Sequence, residues 1–285
     1  MRDINAETIT DAVLKSVENA PDPRTKEILQ CLIRHLHGFV REVELTNDEW
    51  TKAMELFLRA AQITDPNRNE FIIFSDTLGV SSLVDLMEPD EMGGTEGSLL
   101  GPFYVEGAPE LGYGADMLKD NEGVKTIVQG KVVDDNGDPI EGAVLDLWQN
   151  AANGLYQVQD PEQADDNLRC RTVTNADGRY LFSTIKPVPY PVPDDGPVGD
   201  MLRATNRHPL RTGHIHFKIT APGFKPLVTE LFPDDDPYLD EDAVFGVRES
   251  LILNFVDAGP DDAPAMPGID APYCNVNFDF RMSPA

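Results

Sequence analysis

In the segment Arg211 to Phe217, RTGHIHF, two histidines stand one residue apart within an otherwise apolar, β-branched run. On an extended strand alternate side chains share a face, so His214 and His216 can offer two imidazoles to one cation. Such a pair serves equally well as hydrogen-bonded or surface histidines, and the remaining donors must decide. No HExxH motif is present, and no carboxylate sits at a spacing that completes a zinc site or a facial-triad iron site. Two tyrosines lie where a core-filling aromatic is not the first expectation: Tyr156 follows the Asn153-Gly154 turn in WQNAANGLYQ, and Tyr190 sits inside KPVPYPVP. Either alone reads as a packed tyrosine with a satisfied hydroxyl. Together with the histidine pair they read as phenolate donors, which a ferric ion can hold deprotonated well below the free phenol pKa of about 10.

These donors need elements to carry them. From about Gly123 onward the chain shows short β-branched runs, TIVQGKVV, GAVLDLWQ, GRYLFSTI, HIHFKIT and PLVTELF, punctuated by Asn136-Gly137, Asn153-Gly154 and Asp177-Gly178. Regular strands without intervening helical patterns predict an antiparallel β-sandwich. The proline-rich stretch 186–200 is expected to be an extended surface loop. Over the first ninety or so residues the pattern is helical. TKEILQCLIRHLHGFV spaces Ile28, Leu32, Ile33, Leu36, Phe39 and Val40 three and four residues apart, Thr46 and Glu49 have the spacing of a capping box, and 69–87 predicts one further helix. The fold class is therefore mainly β, a sandwich domain over 94–285 preceded by a helical region over 1–93. The apolar helix faces need cover, from the rest of the chain or from a second copy.

In order and spacing, DLWQNAANGLY, GRYLFSTIKPVPYPVP and RTGHIHF resemble the iron-binding segments of the intradiol ring-cleavage dioxygenases, the catechol and hydroxyquinol 1,2-dioxygenase family. GPFYVEGAP and APGFKPLVTELF are similar to further blocks of that family, so the resemblance covers nearly the whole chain. It implies a non-haem Fe(III) held by Tyr156, Tyr190, His214 and His216, and cleavage by O2 of an aromatic ring between two adjacent hydroxyls to give a muconate. Tyr190 is implied to leave the metal and accept a substrate proton, and Arg211 to stabilise charge on the activated ring, which suits a fixed cation in a dry site. Ile73, Leu99, Pro102 and Phe103, with Val188 and Pro189, are implied to wall the ring. Glu230 falls where catechol-cleaving relatives commonly carry glutamine, and is expected among the substrate-binding residues, either hydrogen-bonded to the active-site shell or paired with a nearby base. Asp76 falls where hydroxyquinol-cleaving relatives carry an acid, and it would accept a hydrogen bond from a third ring hydroxyl, so hydroxyquinol is the expected substrate and catechol or chlorocatechol the alternative. The family also implies a homodimer formed through the helical region, with lipid bound between the helices.

Composition narrows the remaining classes. The 285 residues include 23 Lys plus Arg against 50 Asp plus Glu, a formal charge of −27 that repels nucleic acid and anionic membranes. Cys31, Cys170 and Cys274 form no CxxC pair, and the absence of a long apolar run or a signal-like start leads us to expect a cytoplasmic protein. A different class of reading stays open, because GKVVDDNGDPIEGAVLDLW also resembles transthyretin-like modules that bind without metal or chemistry. The iron set separates the two.

Overall fold

The computed structural model describes residues 3–66, 68–87, 93–258, 266, 269–270 and 272–285. The chain divides into two compact units, residues 1–58 and 59–285.

The first unit holds α1 (Ile9–Ser16), α2 (Pro23–Glu42) and most of α3 (Asn47–Ile63). Asp22 caps α2 through the backbone N–H groups of Arg24 and Thr25. The capping box forms as its spacing predicts, Thr46 N donating to Glu49 Oε2 at 2.9 Å and Glu49 N to Thr46 Oγ1 at 3.3 Å. No residue of α2 is buried, and Ile28, Leu32, Leu36 and Phe39 stand open to solvent.

The second unit begins with α4 (Glu70–Thr77) and α5 (Val80–Met87) where the sequence pattern predicts a single helix. The break is Gly79, at φ 73°, a backbone angle that carries the chain out of one helix and into the next and that glycine adopts without penalty. Strands follow: β1 (Ala115–Asp116), β2 (Lys125–Val133), β3 (Val144–Trp148), β4 (Arg169–Val173), β5 (Arg179–Ile185), β6 (Tyr190–Pro191), β7 (Leu210–Arg211), β8 (Ile215–Thr220), β9 (Leu227–Pro233), β10 (Ile252–Leu253), β11 (Val256–Asp257), β12 (Cys274–Asn277) and β13 (Phe280–Arg281). One sheet runs β1-β5-β2-β12-β11 with β13 also on β2, a second runs β10-β9-β8-β3-β4, and β6 pairs with β7 alone.

These sheets are mixed, which corrects the antiparallel expectation. The hairpin-like pairs β2–β5, β3–β4, β3–β8 and β8–β9 are antiparallel, but β1–β5, β10–β9, β12–β2 and β13–β2 are parallel. The C-terminal strands reach β2 over a long connection, and such crossovers are what parallel pairing requires. Runs of two to four residues carry no trace of that direction. Alternation decides which side of each strand meets the core: Leu145 and Leu147 of β3, Ile215, Phe217 and Ile219 of β8 and Leu231 of β9 join Val128, Phe182, Val276 and Phe280 of the other sheet in one buried cluster. Each such side chain contributes roughly 1.5–3 kcal/mol of burial.

The stretch 186–200 is not a surface loop. Pro187, Tyr190, Val192 and Gly196–Gly199 are buried, and Pro197 opens α6 (Pro197–Ala204). Proline at a first helical position has its φ already set, and the buried Glu70 carboxylate accepts from Val198 N at 2.9 Å to cap the new helix. No helix among the described residues is long and apolar enough to cross a membrane.

Candidate functional site

If one face of the five-stranded sheet meets the core, the other is free for chemistry. The strand register sets Trp148 of β3 opposite His216 of β8, and His216 opposite Glu230 of β9, so the three form a row across that second face. Trp148 stacks on the His216 ring with centroids 4.6 Å apart. His214, one residue before β8, lies on the same side by alternation. Two further devices bring the tyrosines. The β6–β7 ladder sets Tyr190 opposite Arg211, and the turn at Gly154, closed by Gly154 N on Ala151 O at 2.8 Å, delivers Tyr156 beneath Phe103.

All four donors are buried, none more than 2% exposed. Tyr156 Oη, His214 Nε2 and His216 Nε2 make a triangle with sides of 3.4, 3.0 and 3.2 Å, and Tyr190 Oη lies 3.2 Å from Tyr156 Oη. Donors bound about 2.1 Å from a shared cation stand at such separations from one another. The protonation states agree with that use. Burial, reinforced by Tyr190, holds the Tyr156 phenol well above its ordinary pKa, and burial raises Tyr190 against the opposing pull of Arg211. Burial, helped by Arg211 at His214 and by the neighbouring imidazole at His216, pushes both histidines well below theirs. The set is therefore neutral: imidazole lone pairs face phenols that a multivalent cation would deprotonate. His214 Nδ1 lies 2.7 Å from Thr212 O, which takes the ring proton on that side and leaves the lone pair on Nε2, turned toward the other donors.

Arg211, 3% exposed, is the hub of the charges around the donors. Its Nη1 donates to His214 Nε2 at 3.1 Å, Glu230 Oε1 at 3.2 Å and Tyr190 Oη at 3.4 Å; Nη2 donates to Glu230 Oε2 at 3.2 Å, and Nε to Asp242 Oδ1 at 3.3 Å. Burial alone would pull the guanidinium pKa down, but Glu230 and Asp242 outweigh it and hold the group charged. Two glycines make room. A Cβ on Gly213 would stand 2.8 Å from Pro187 O, and one on Gly246 only 2.7 Å from Arg211 Nη2.

Beside the donors a narrow cleft is lined by Ile73, Asp76, Leu99, Gly101, Pro102, Phe103, Tyr190, Val192, Pro193, Arg211 and Val244. Of the residues the sequence suggested as ring walls, Ile73, Leu99, Pro102 and Phe103 line it, as does Asp76. Val188 and Pro189 do not: Val188 O accepts from Asn150 Nδ2 at 2.9 Å, and the loop turns so that Val192 and Pro193 reach the cavity instead. Glu230 is also absent from the lining, enclosed behind Arg211. Asp76 is 6% exposed; burial raises its carboxyl pKa while a hydrogen bond from Ser81 and the charge of Arg211 pull it back. Sequence reasoning missed Asp242, Val244 and the contact of Glu230 with both histidines. Only the last has a sequence signal: His216 and Glu230 face each other across the turn that joins β8 to β9.

Two family models match the chain, one described as catechol dioxygenase N terminus over residues 22–95 and one as dioxygenase over residues 99–284. The chain belongs to the intradiol ring-cleavage dioxygenases. This enzyme is 46% identical over 251 residues to a hydroxyquinol 1,2-dioxygenase of Rhizobium sp. strain MTP-10005, covering 87% of this chain and 85% of that one. It is 42% identical over 285 residues to a 6-chlorohydroxyquinol 1,2-dioxygenase of Cupriavidus pinatubonensis, covering 100% and 99%. A crystal structure of hydroxyquinol 1,2-dioxygenase from Pseudomonas putida DLL-E4 superposes with a TM-score of 0.91 at 47% identity, over 98% of this chain and 99% of that chain. Membership sets aside the metal-free carrier reading, and the family is one of metal-dependent enzymes that act on aromatic diols or triols with O2.

Proposed function

We propose that this dioxygenase cleaves hydroxyquinol, 1,2,4-trihydroxybenzene, between its adjacent hydroxyls, using Fe(III) held by Tyr156, Tyr190, His214 and His216. One observation carries the choice of ring. Asp76 is a buried carboxyl that borders the same cavity as Arg211 and Tyr190, in walls that are otherwise almost wholly apolar. A carboxylate there is stabilised by a third ring hydroxyl and left desolvated by catechol, so it discriminates through an unmade hydrogen bond. The names of the relatives above support the same ring.

When bound, the ferric ion supplies Lewis-acid activation of the diol. The chain's residues do the rest. Ile73, Leu99, Pro102 and Phe103 exclude water and hold the ring flat. Tyr190 receives a substrate hydroxyl proton at its phenolic oxygen, and Arg211 Nη1, 3.4 Å from that oxygen, offers a fixed positive charge where the ring becomes electron-rich. The two sheets, sharing one core, act as a sandwich scaffold over residues 94–285. The region up to residue 93, with the open apolar faces of α2 and α3, serves to pair two copies of the chain around a lipid acyl chain.

The test is oxygen uptake by the iron-loaded enzyme, with kcat/KM compared for hydroxyquinol and catechol against a protein-free blank for autoxidation. A preference for hydroxyquinol is expected. A preference for catechol would overturn the substrate and reduce Asp76 to a structural residue.

A further inference from the structure

Glu230 is the side chain whose placement the chemistry above does not use. It is 0% exposed and does not border the cavity. Its Oε2 accepts from Ser98 Oγ at 2.7 Å and from Arg211 Nη2 at 3.2 Å. Its Oε1 accepts from Arg211 Nη1 at 3.2 Å and stands 3.2 Å from His214 Nε2 and 3.3 Å from His216 Nδ1. The last contact lacks hydrogen-bond geometry, since His216 Nδ1 has no hydrogen-bond partner. A carboxylate oxygen thus rests against the rings of both proposed histidine ligands.

The local charges do not cancel. Arg211 contributes one positive charge, and Glu230 and Asp242, both in contact with it, contribute two negative ones. A glutamine at 230 has nearly the same shape and would leave this group neutral, so the glutamate adds one buried negative charge next to the metal position. Neutralising Arg211 is already the work of Asp242. In a dry interior such a charge favours the more highly charged of two metal oxidation states.

We propose that Glu230 is a positioning and charge-setting residue that lowers the reduction potential of the bound iron, and so keeps an easily oxidised trihydroxylated ring from losing single electrons to it. This rests on the hydroxyquinol reading. The reaction suppressed is a transfer of one electron from the ring to Fe(III), giving Fe(II) and a ring radical. The radical would then give a second electron to O2, forming superoxide, and a further O2 would return Fe(II) to Fe(III); the ring would end as a quinone, with both hydroxyl protons lost to solvent, instead of being cleaved. A third hydroxyl makes a ring easier to oxidise, so this leak threatens hydroxyquinol more than catechol.

The test compares iron-loaded Glu230→Gln and Glu230→Asp with the parent enzyme by spectroelectrochemistry without substrate, and then by the ratio of quinone to cleaved ring. The expected results are a higher potential and a red-shifted tyrosinate-to-iron band in Glu230→Gln, a potential near the parent in Glu230→Asp, and a several-fold rise in quinone from hydroxyquinol but not catechol in Glu230→Gln. An unchanged potential in Glu230→Gln would overturn the proposal, as would an equal rise in both variants, which would mark a role in shape alone. Should Glu230→Gln not retain iron, Ser98→Ala reads the same quantity with the opposite sign. Loss of its hydrogen bond leaves more charge on the carboxylate, so the potential should fall; a rise or no change would count against the proposal. Because the potential is read without substrate, its outcome is independent of which ring the enzyme prefers.

Discussion

Two regions of this chain invert the ordinary rule of burial in opposite senses. Helix α2 keeps Ile28, Leu32, Leu36 and Phe39 in water, whereas the site on the outer face of the five-stranded sheet keeps Arg211, Glu230, Asp242 and His214 out of it. Exposed apolar surface costs little while water remains and is worth most when something covers it. Buried charge is costly at once unless every partner is in place. The first region is therefore tolerant of substitution in the single chain, and the second is not.

The largest effect expected from this contrast follows removal of a proposed metal ligand. Tyr156→Phe should lower kcat/KM by more than the ~100-fold typical of residues that only support a metal ligand, and should weaken the tyrosinate absorption. Next, Arg211→Met should destabilise the fold by about 3–5 kcal/mol, since Glu230 and Asp242 would remain buried without their cation; urea unfolding measures it. Metal uptake should strengthen with pH. Burial raises both phenols, so each keeps its proton until a cation displaces it, while the lowered histidines have none to lose. Release of two protons gives up to roughly a hundredfold gain in apparent affinity per pH unit, read by competition against a chelator of known pH dependence. Asp76→Ala should reduce kcat/KM for hydroxyquinol by about 10- to 100-fold and spare catechol; equal losses would erase its role in selection. The smallest effect belongs to the open helix. Leu32→Gln with Leu36→Gln should change single-chain stability by no more than about 0.5 kcal/mol while halving the mass seen by light scattering. A large loss of stability there would collapse the comparison.

Much of the site was legible because the decisive signals are local. Alternation alone puts His214 and His216 on one side, and an Asn-Gly turn and a proline run mark the two tyrosines. What escaped depends on partners distant in sequence. Asp242 reaches Thr212 N and Arg211 Nε from a loop with no pattern of its own. The burial of Gly196–Gly199 depends on Glu70 capping α6 from another helix, and the parallel pairing of β12 and β13 with β2 depends on a connection whose path leaves no periodicity. The break at Gly79 was visible as a residue but not as a bend, since apolar residues continue on both sides.

The row Trp148, His216, Glu230 also has a meaning for how the chain assembles. In a hairpin, a slip of one residue turns every side chain to the opposite face. Were β8 displaced by one position against β9, His216 would lose Glu230 and Trp148 together, and Ile215 and Phe217 would exchange the core for the polar face. Only one alignment of the three strands sets Trp148, His216 and Glu230 in a row. A metal held by the proposed ligands would thus act as a proofreader of the sheet, rewarding with its binding energy the register that turns His214 and His216 to the same side.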